Sequence, residues 1–136
     1  MPPDDVKLEL TRDWLVKVAD DLQLAERALS LPPLPGGAMF HCQREAEKAL
    51  KAYLTWHDRS FRKTHNLEEL RFQCADFDPS FDELVSAATV LSPYAARFRY
   101  PGADARPQAG DAEAALIVAR EVVAFVAERL QPEASA

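Results

Sequence analysis

From Ala38 to Trp56 the chain reads AMFHCQREAEKALKAYLTW. This spacing predicts an α-helix, because its apolar side chains recur at three- and four-residue steps and therefore share one face. Two pairs four residues apart, His41 with Glu45 and Glu47 with Lys51, are neighbours on a helix and support it. The predicted apolar face consists of Phe40, Ala46, Ala49, Leu50, Tyr53 and Leu54.

Four further helices are predicted around this segment, and no stretch is typical of a strand. The first runs from about residue 4 to residue 30. It ends in the run LPPLPGG at 31–37, because proline lacks an amide donor and glycine is flexible. Its apolar stripe also recurs at three- and four-residue steps and consists of Leu8, Leu15, Val18, Leu22, Ala25 and Leu29.

The third and fourth helices are indicated by their first residues. Asn66 can cap free helix amides, and Glu69 three positions on completes a capping-box-like pair; this helix is expected to end near residues 74–75. Asp78-Pro79 is a favourable start for the fourth helix, which Pro93 bends or breaks. The predicted inner face of this fourth helix consists of Phe81, Leu84, Val85, Ala88 and Leu91.

The fifth helix is predicted from a cap at Asp111 to about Leu130. Its stripe consists of Leu116, Ala119, Val122, Val123, Val126 and Leu130. Because short connections between long helices place sequence neighbours antiparallel, we predict an all-α fold: a five-helix, mainly antiparallel up-and-down bundle. At 136 residues the chain fits one domain, residues 1–136, with an ordered core from about 5 to 130.

The net charge of −6, with 28% charged and 48% hydrophobic residues, is that of an ordinary soluble globular protein. An anionic chain is a poor general coat for nucleic acid, so any such contact needs a local patch. No apolar run reaches the length of a membrane span, and the start MPPDD lacks the pattern of a secretory signal. Cys42 and Cys74 are therefore expected to be reduced thiols in a cytoplasmic protein.

The segment from His41 to His65 stands out against this acidic background. It holds all three histidines and six of the sixteen basic residues, and it ends in RSFRKTH. Histidine is the side chain whose ordinary pKa lies nearest neutrality. Imidazoles within a local pool of positive charge indicate a site for chemistry or for a phosphate-bearing ligand.

Arg59 and His65 are the candidate catalytic residues of this segment. Arginine is a permanent cation that grips phosphate in a fork, and histidine exchanges protons near pH 7. Together they suffice for metal-independent RNA cleavage, in which a 2′-hydroxyl attacks the neighbouring phosphate. The linker between the second and third helices could bring both to one mouth of the bundle. The alternative is a solvated loop whose His65 helps to position the start of the third helix.

Other basic residues are candidate nucleotide or RNA contacts. On the linker and the second helix these are Lys48, Lys51, Arg62 and Lys63; the alternative is a solvent face paired with nearby carboxylates. A second group comprises Arg97, Arg99 and Arg106, with Tyr100 as a stacking platform for a base; the alternative is a set of helix-end charges. No metal site and no cofactor are predicted, because His41 and Cys42 lack further ligands at zinc-site spacing.

Three strings together resemble a known family. They are FHCQREAEKALKAYL at 40–54, KTHNL at 63–67 and RYP at 99–101, and they follow a long first helix that carries Trp14. This order is similar to the HEPN family, the "higher eukaryotes and prokaryotes nucleotide-binding" domains, over roughly residues 5–130. The resemblance implies a five-helix bundle that usually dimerises.

The resemblance also implies functions. Many HEPN members are metal-independent ribonucleases with a motif of arginine, four to six residues, then histidine. Arg59 to His65 satisfies this spacing, with the polar Ser60 following the arginine. Other members are toxins beside a minimal nucleotidyltransferase, or only bind nucleotides or partners.

Three readings of the function follow. The first is an RNA-directed enzyme, a metal-independent ribonuclease or toxin component that acts on RNA or nucleotides as a homodimer, with His65 as the acid–base residue and Arg59 as the charge stabiliser. The second is a non-catalytic nucleotide- or protein-binding module that partners a minimal nucleotidyltransferase. The third is a structural helical dimer. A membrane partner is not expected.

Overall fold

The computed structural model describes residues 3–30, 32–96, 106–130 and 134. These described residues form five α-helices and no β-strand. These helices are α1 (Pro3–Ala28), α2 (Pro35–Trp56), α3 (Leu67–Phe77), α4 (Val85–Leu91) and α5 (Ala109–Arg129). The all-α, five-helix bundle predicted from the sequence is confirmed.

Helix α2 is the centre of the bundle. It packs against α1 over most of its length, against α5, and against α3 and α4. This central position explains why its buried residues extend beyond a single apolar stripe. Fully buried Ala46 and Ala49 leave room for neighbouring helices to approach, while Tyr53 meets Phe81 with ring centroids 4.5 Å apart.

Helix α2 begins earlier than the sequence predicted. It starts at Pro35 instead of Ala38, because proline is favourable in the first turn, where its missing amide has no partner to lose. Gly36 and Gly37 therefore belong to the helix and not to the preceding loop. A Cβ atom at Gly37 would lie 4.0 Å from the Ala28 Cβ atom, in ordinary contact with the end of α1.

Only one of the two side-chain interactions predicted for the cap of α3 is present. The Asn66 side chain accepts a hydrogen bond from the Glu69 amide at 3.2 Å, as the sequence predicted. The Glu69 carboxylate binds Arg62 instead of returning to the cap. The helix continues to Phe77, two to three residues beyond the predicted end, where the Phe77 ring packs against Tyr53 and His57.

The fourth helix is shorter than predicted. Asp78 caps it by accepting from the Ser80 amide at 3.0 Å, but residues 79–84 form a 3₁₀ segment before α4 begins. Because a 3₁₀ helix has fewer residues per turn than an α-helix, the inner face rotates at this junction. The prediction for Val85 was therefore wrong, since it is 42% exposed. The rest of that face is confirmed as buried: Phe81, Leu84, Ala88 and Leu91.

Helix α5 starts two residues before Asp111, so Asp111 is not the cap residue. Its carboxylate instead reaches back from the third helical position and accepts from the Gln108 amide at 2.9 Å. The predicted stripe is buried except for the partly buried Val123. Helix α5 thereby covers part of α2, and the polar contacts of α2 described next are made with α1 and with the linker before α3.

Candidate functional site

The linker between α2 and α3 runs back along α3. Two residues after α2 ends at Trp56, Asp58 adopts a left-handed conformation with φ of 57°, which aspartate tolerates better than most residues. The Arg59 guanidinium then lies 5.1 Å from the centre of the Phe77 ring, at the last residue of α3. Further along, Gln73 donates to the Ser60 carbonyl at 3.0 Å, and Arg62 pairs with Glu69.

Arg59 and His65 consequently lie beside opposite ends of α3. The helix has 11 residues, which corresponds to about 16 Å at 1.5 Å per residue. One subunit does not bring the two side chains to one mouth of the bundle, as the sequence had suggested it could. The reason is that contacts with Phe77, Gln73 and Glu69 keep the linker extended. Their catalytic roles stay predictions.

His65 instead contacts three side chains of α2. Its Nδ1 atom lies 2.8 Å from Glu47 Oε1, and Gln43 Nε2 donates to its carbonyl oxygen at 2.8 Å. The Arg44 guanidinium contacts Nδ1 and lies 3.1 Å from Nε2. The carboxylate beside Nδ1 favours the neutral tautomer with its proton on that atom. Because 57% of the His65 side chain is exposed, the imidazole remains open to a ligand.

Glu47 is a buried carboxylate with three hydrogen-bond donors around it. Lys51 Nζ donates to it at 3.0 Å and Gln43 Nε2 at 3.2 Å, in addition to the His65 contact. Burial raises the pKa of Glu47, but the hydrogen bonds from Lys51, His65 and Gln43 and the charge of Lys51 outweigh this effect and lower the pKa. Glu47 is therefore ionised at neutral pH. We call Gln43, Arg44, Glu47, Lys51 and His65 the His65 cluster.

A second carboxylate–histidine pair joins α1 to α2. Asp21 of α1 is buried, and its two oxygens lie 2.8 Å from His41 Nδ1 and 2.5 Å from Lys48 Nζ. We call these three residues the Asp21 cluster. His41, Arg44 and Lys48 stand three and four residues apart, so they share a face of α2. Arg44 is therefore the member of the His65 cluster that lies next to the Asp21 cluster, and its guanidinium lies over the Phe40 ring at 5.4 Å.

The two clusters together are electropositive on an anionic protein. Arg44, Lys48 and Lys51 supply three fixed positive charges, against two negative charges from Asp21 and Glu47. The balance is +1 with both histidines neutral, and it rises when either is protonated. An anion near Arg44 and His65 is therefore attracted even though the whole chain carries −6.

The other predicted contacts are placed as follows. Lys48 pairs with Asp21, and Lys51 is buried between the Trp14 and Phe61 rings, so a phosphate would reach neither directly without a rearrangement.

The remaining predicted contacts lie outside α2. Arg62 is exposed and donates two hydrogen bonds of 3.0 and 2.9 Å to Glu69. Lys63 is exposed and has no partner among the described residues. Arg97, Arg99 and Tyr100, which the sequence also predicted as contacts, lie outside the described residues; Arg106 is exposed.

Sequence reasoning missed Arg44 and Glu47 as site residues. A signal for Arg44 was present, because basic residues recur along α2 with spacings of three, four and three residues, at 41, 44, 48 and 51. No comparable signal marked Asp21, because its partners are 20 and 27 positions away on another helix. The role of such a residue is visible only once the two helices are packed.

The cysteines offer no nucleophile. Cys42 and Cys74 are both free and buried. Burial, with a smaller contribution from Glu45, raises the pKa of Cys42 to about 12, and burial also raises that of Cys74. Within the described ranges, no three His, Cys, Asp or Glu side chains are grouped as a metal site. No helix in the described part of the chain has the length and apolar character needed to cross a membrane.

Comparison with known proteins yields one family. The family model described as the HEPN domain matches residues 11–130. No curated protein and no solved structure matches the chain. The match spans α2 and all residues of both clusters.

Proposed function

This chain belongs to the HEPN domain family, a family of nucleotide-binding or ribonuclease-type modules, and from that premise we propose that it cleaves RNA without a metal ion. In this proposal His65 is the acid–base residue and Arg44 stabilises the charge on phosphorus. The observation that carries the proposal is the His65 imidazole, which is held by the buried carboxylate of Glu47 and flanked by a guanidinium.

The geometry supports a proton transfer at Nε2. With its proton on Nδ1 directed at Glu47, the imidazole has an unprotonated Nε2, which can accept the proton of a 2′-hydroxyl once the Arg44 guanidinium, 3.1 Å from it, turns to the phosphate. The attacking oxygen then bonds to phosphorus and negative charge grows on the phosphoryl oxygens. Arg44, within 3.1 Å of the same ring nitrogen, can donate to those oxygens in a fork.

The buried carboxylate favours catalysis over binding alone. A site that only binds phosphate needs cations, and a negative Glu47 close to it reduces the attraction. Its benefit is the orientation and tautomer of the imidazole, which matter for proton transfer and not for simple ion pairing. The His65 cluster therefore fits a catalytic histidine better than a plain anion-binding patch.

The test is cleavage of RNA in EDTA by the wild type and by His65→Ala. We expect His65→Ala to slow cleavage by about 10²- to 10⁴-fold, the usual contribution of a positioned acid–base group. Arg44→Ala is expected to slow it by at least about 10²-fold, because one charge-stabilising donor is lost. Product ends identified as 2′,3′-cyclic phosphates would confirm attack by the 2′-hydroxyl.

A matched control is Arg27→Ala, which removes one exposed cation at the end of α1 and should leave the rate unchanged. Two results would contradict the proposal: intact RNA at high wild-type concentration, or His65→Ala cutting at the wild-type rate. RNA that is bound with a steep salt dependence but stays intact would favour the nucleotide-binding module instead.

Loss of the Arg59 side chain is expected to affect the cleavage rate less than loss of Arg44. Because its guanidinium packs on Phe77 at the far end of α3, Arg59→Ala should lower the cleavage rate by less than about tenfold, well below the effect of Arg44→Ala. The experiment compares both variants and then mixes Arg59→Ala with His65→Ala protein. Equal losses for the two arginine variants, together with activity recovered on mixing, would instead indicate a site composed across a dimer.

A further inference from the structure

We propose that His41 is the second proton-transfer residue of this site, acting as the general acid while His65 acts as the general base. The inference rests on the proposed RNA cleavage and deepens it. Cleavage by a 2′-hydroxyl requires two proton transfers, one from the nucleophile and one to the leaving 5′-oxygen. A single histidine can serve both only if water or substrate exchanges protons with it between the steps.

The contacts of the two histidines are closely alike. His41 and His65 each place Nδ1 at 2.8 Å from a carboxylate oxygen, of Asp21 and Glu47 respectively. Both carboxylates are buried, and each is neutralised by a lysine, Lys48 or Lys51. A carboxylate at Nδ1 orients the ring and holds a proton on that atom, so that Nε2 is the nitrogen that exchanges a proton with a ligand; at His65, Arg44 also lies 3.1 Å from Nε2. Both side chains reach solvent, 27% exposed for His41 and 57% for His65.

The register of α2 sets the two imidazoles on either side of Arg44. His41 precedes Glu47, the partner of His65, by six residues, or about 9 Å along the helix axis. Arg44 stands midway, contacts the His65 ring directly, and packs over Phe40. The edge of the Phe40 ring in turn meets His41, with ring centroids 5.1 Å apart. A phosphodiester on Arg44 would therefore have one imidazole towards each end.

The reaction balances with these two groups. His65 Nε2 takes the proton of the 2′-hydroxyl as the new 2′-O–P bond forms. The His41 imidazolium gives its proton to the 5′-oxygen as the P–O5′ bond breaks. The products are a 2′,3′-cyclic phosphate and a 5′-hydroxyl, and proton exchange with water restores both histidines. Arg44 stabilises the phosphorane charge and exchanges no proton.

A leaving group that needs no proton separates the two roles. We expect His41→Gln, which keeps an amide donor for Asp21, to cleave RNA about 100-fold more slowly than the wild type. On uridine 3′-(4-nitrophenyl phosphate), whose nitrophenolate leaves unprotonated, the same variant should regain a rate within about threefold of the wild type. His65→Gln should be slow on both substrates, because both need the 2′-hydroxyl deprotonated.

The pH profile supplies a second readout that a purely structural residue would not change. Wild-type cleavage of RNA should give a bell-shaped profile, and His41→Gln should lose the limb at high pH, where the general acid is deprotonated. The activated substrate also verifies that a variant is folded, because its turnover requires an intact His65 cluster.

Each outcome decides the proposal. RNA cleavage by His41→Gln at the wild-type rate overturns it, and so does a loss that the activated substrate does not restore. If the wild type cleaves the activated substrate and RNA but only the His65 variant is impaired, the proposed function stands and the role of His41 fails. If the wild type cleaves neither substrate, both proposals fail.

Discussion

Glu47→Leu is expected to lower the free energy of unfolding by about 3–5 kcal/mol, because removing one member of a buried ion pair leaves the other charge uncompensated. Lys51 would keep its ammonium group between the Trp14 and Phe61 rings with no carboxylate to neutralise it. Gln43 and His65 would lose the same acceptor. Urea unfolding at pH 7, followed by circular dichroism, measures the loss.

The double variant Glu47→Leu, Lys51→Met is the matched control. It removes both charges and fills the space with apolar side chains, so it should recover most of the lost stability. If the single variant unfolds at the wild-type urea concentration, Glu47 is not the centre of a buried network. If the double variant is no more stable than the single one, the loss comes from packing and not from the stranded lysine.

The contribution of Glu47 has a defined pH dependence. Its pKa is lowered in the folded protein from an ordinary value of 4.5, so its interactions stabilise the fold above that value. As the pH falls below 4.5 and through the lowered pKa of the folded state, the carboxylate is protonated and this stabilisation is lost. The difference between the wild type and Glu47→Leu should therefore shrink on acidification.

Glu45→Gln is expected to raise the free energy of unfolding, whereas Glu47→Leu lowers it. Glu45 is fully buried two residues before Glu47, and neither of its oxygens has a hydrogen-bond partner among the described residues. Burial raises its pKa to about 7; Arg120 opposes this shift, and Asp21 and Glu26 add to it. A neutral glutamine of the same shape imitates the protonated acid, so the variant avoids the cost of a buried charge.

Because the pKa of Glu45 is raised in the folded protein, the stability of the wild type depends on pH. Between pH 4.5 and about 7 the unfolded chain loses the proton that the folded chain retains, so the wild type loses stability as the pH rises. Above pH 7 the penalty is complete, and Glu45→Gln should be more stable by about 3 kcal/mol. Below pH 4.5 the two proteins should have equal stability.

Thermal melts of both proteins from pH 4 to pH 8.5 test this expectation. Glu113→Gln, on the exposed face of α5, is the control for removal of one negative charge and should follow the wild-type curve. Parallel curves for the wild type and Glu45→Gln across the whole range would show that Glu45 keeps an ordinary pKa in the folded protein.

Comparison of sequence and structure shows which parts of the fold are local. The apolar spacing along α2 and α5 predicted both helices, because backbone hydrogen bonds four residues apart bring those positions to one face. Asn66 and Asp78 marked the starts of their helices for the same local reason. The one inner-face position wrongly predicted, Val85, lies where a 3₁₀ segment changes the helical period.

The helices, their apolar faces and the basic His41–His65 segment could be predicted from residue spacing alone. The pairing of the charged side chains could not, because it depends on how the helices pack. The tertiary structure joins Asp21 to His41 and Glu47 to His65 across 20 and 18 positions, and it separates Arg59 from His65 along α3. Helix periodicity arises from interactions between residues three or four positions apart. The partner of a buried charge depends instead on which distant helix packs beside it.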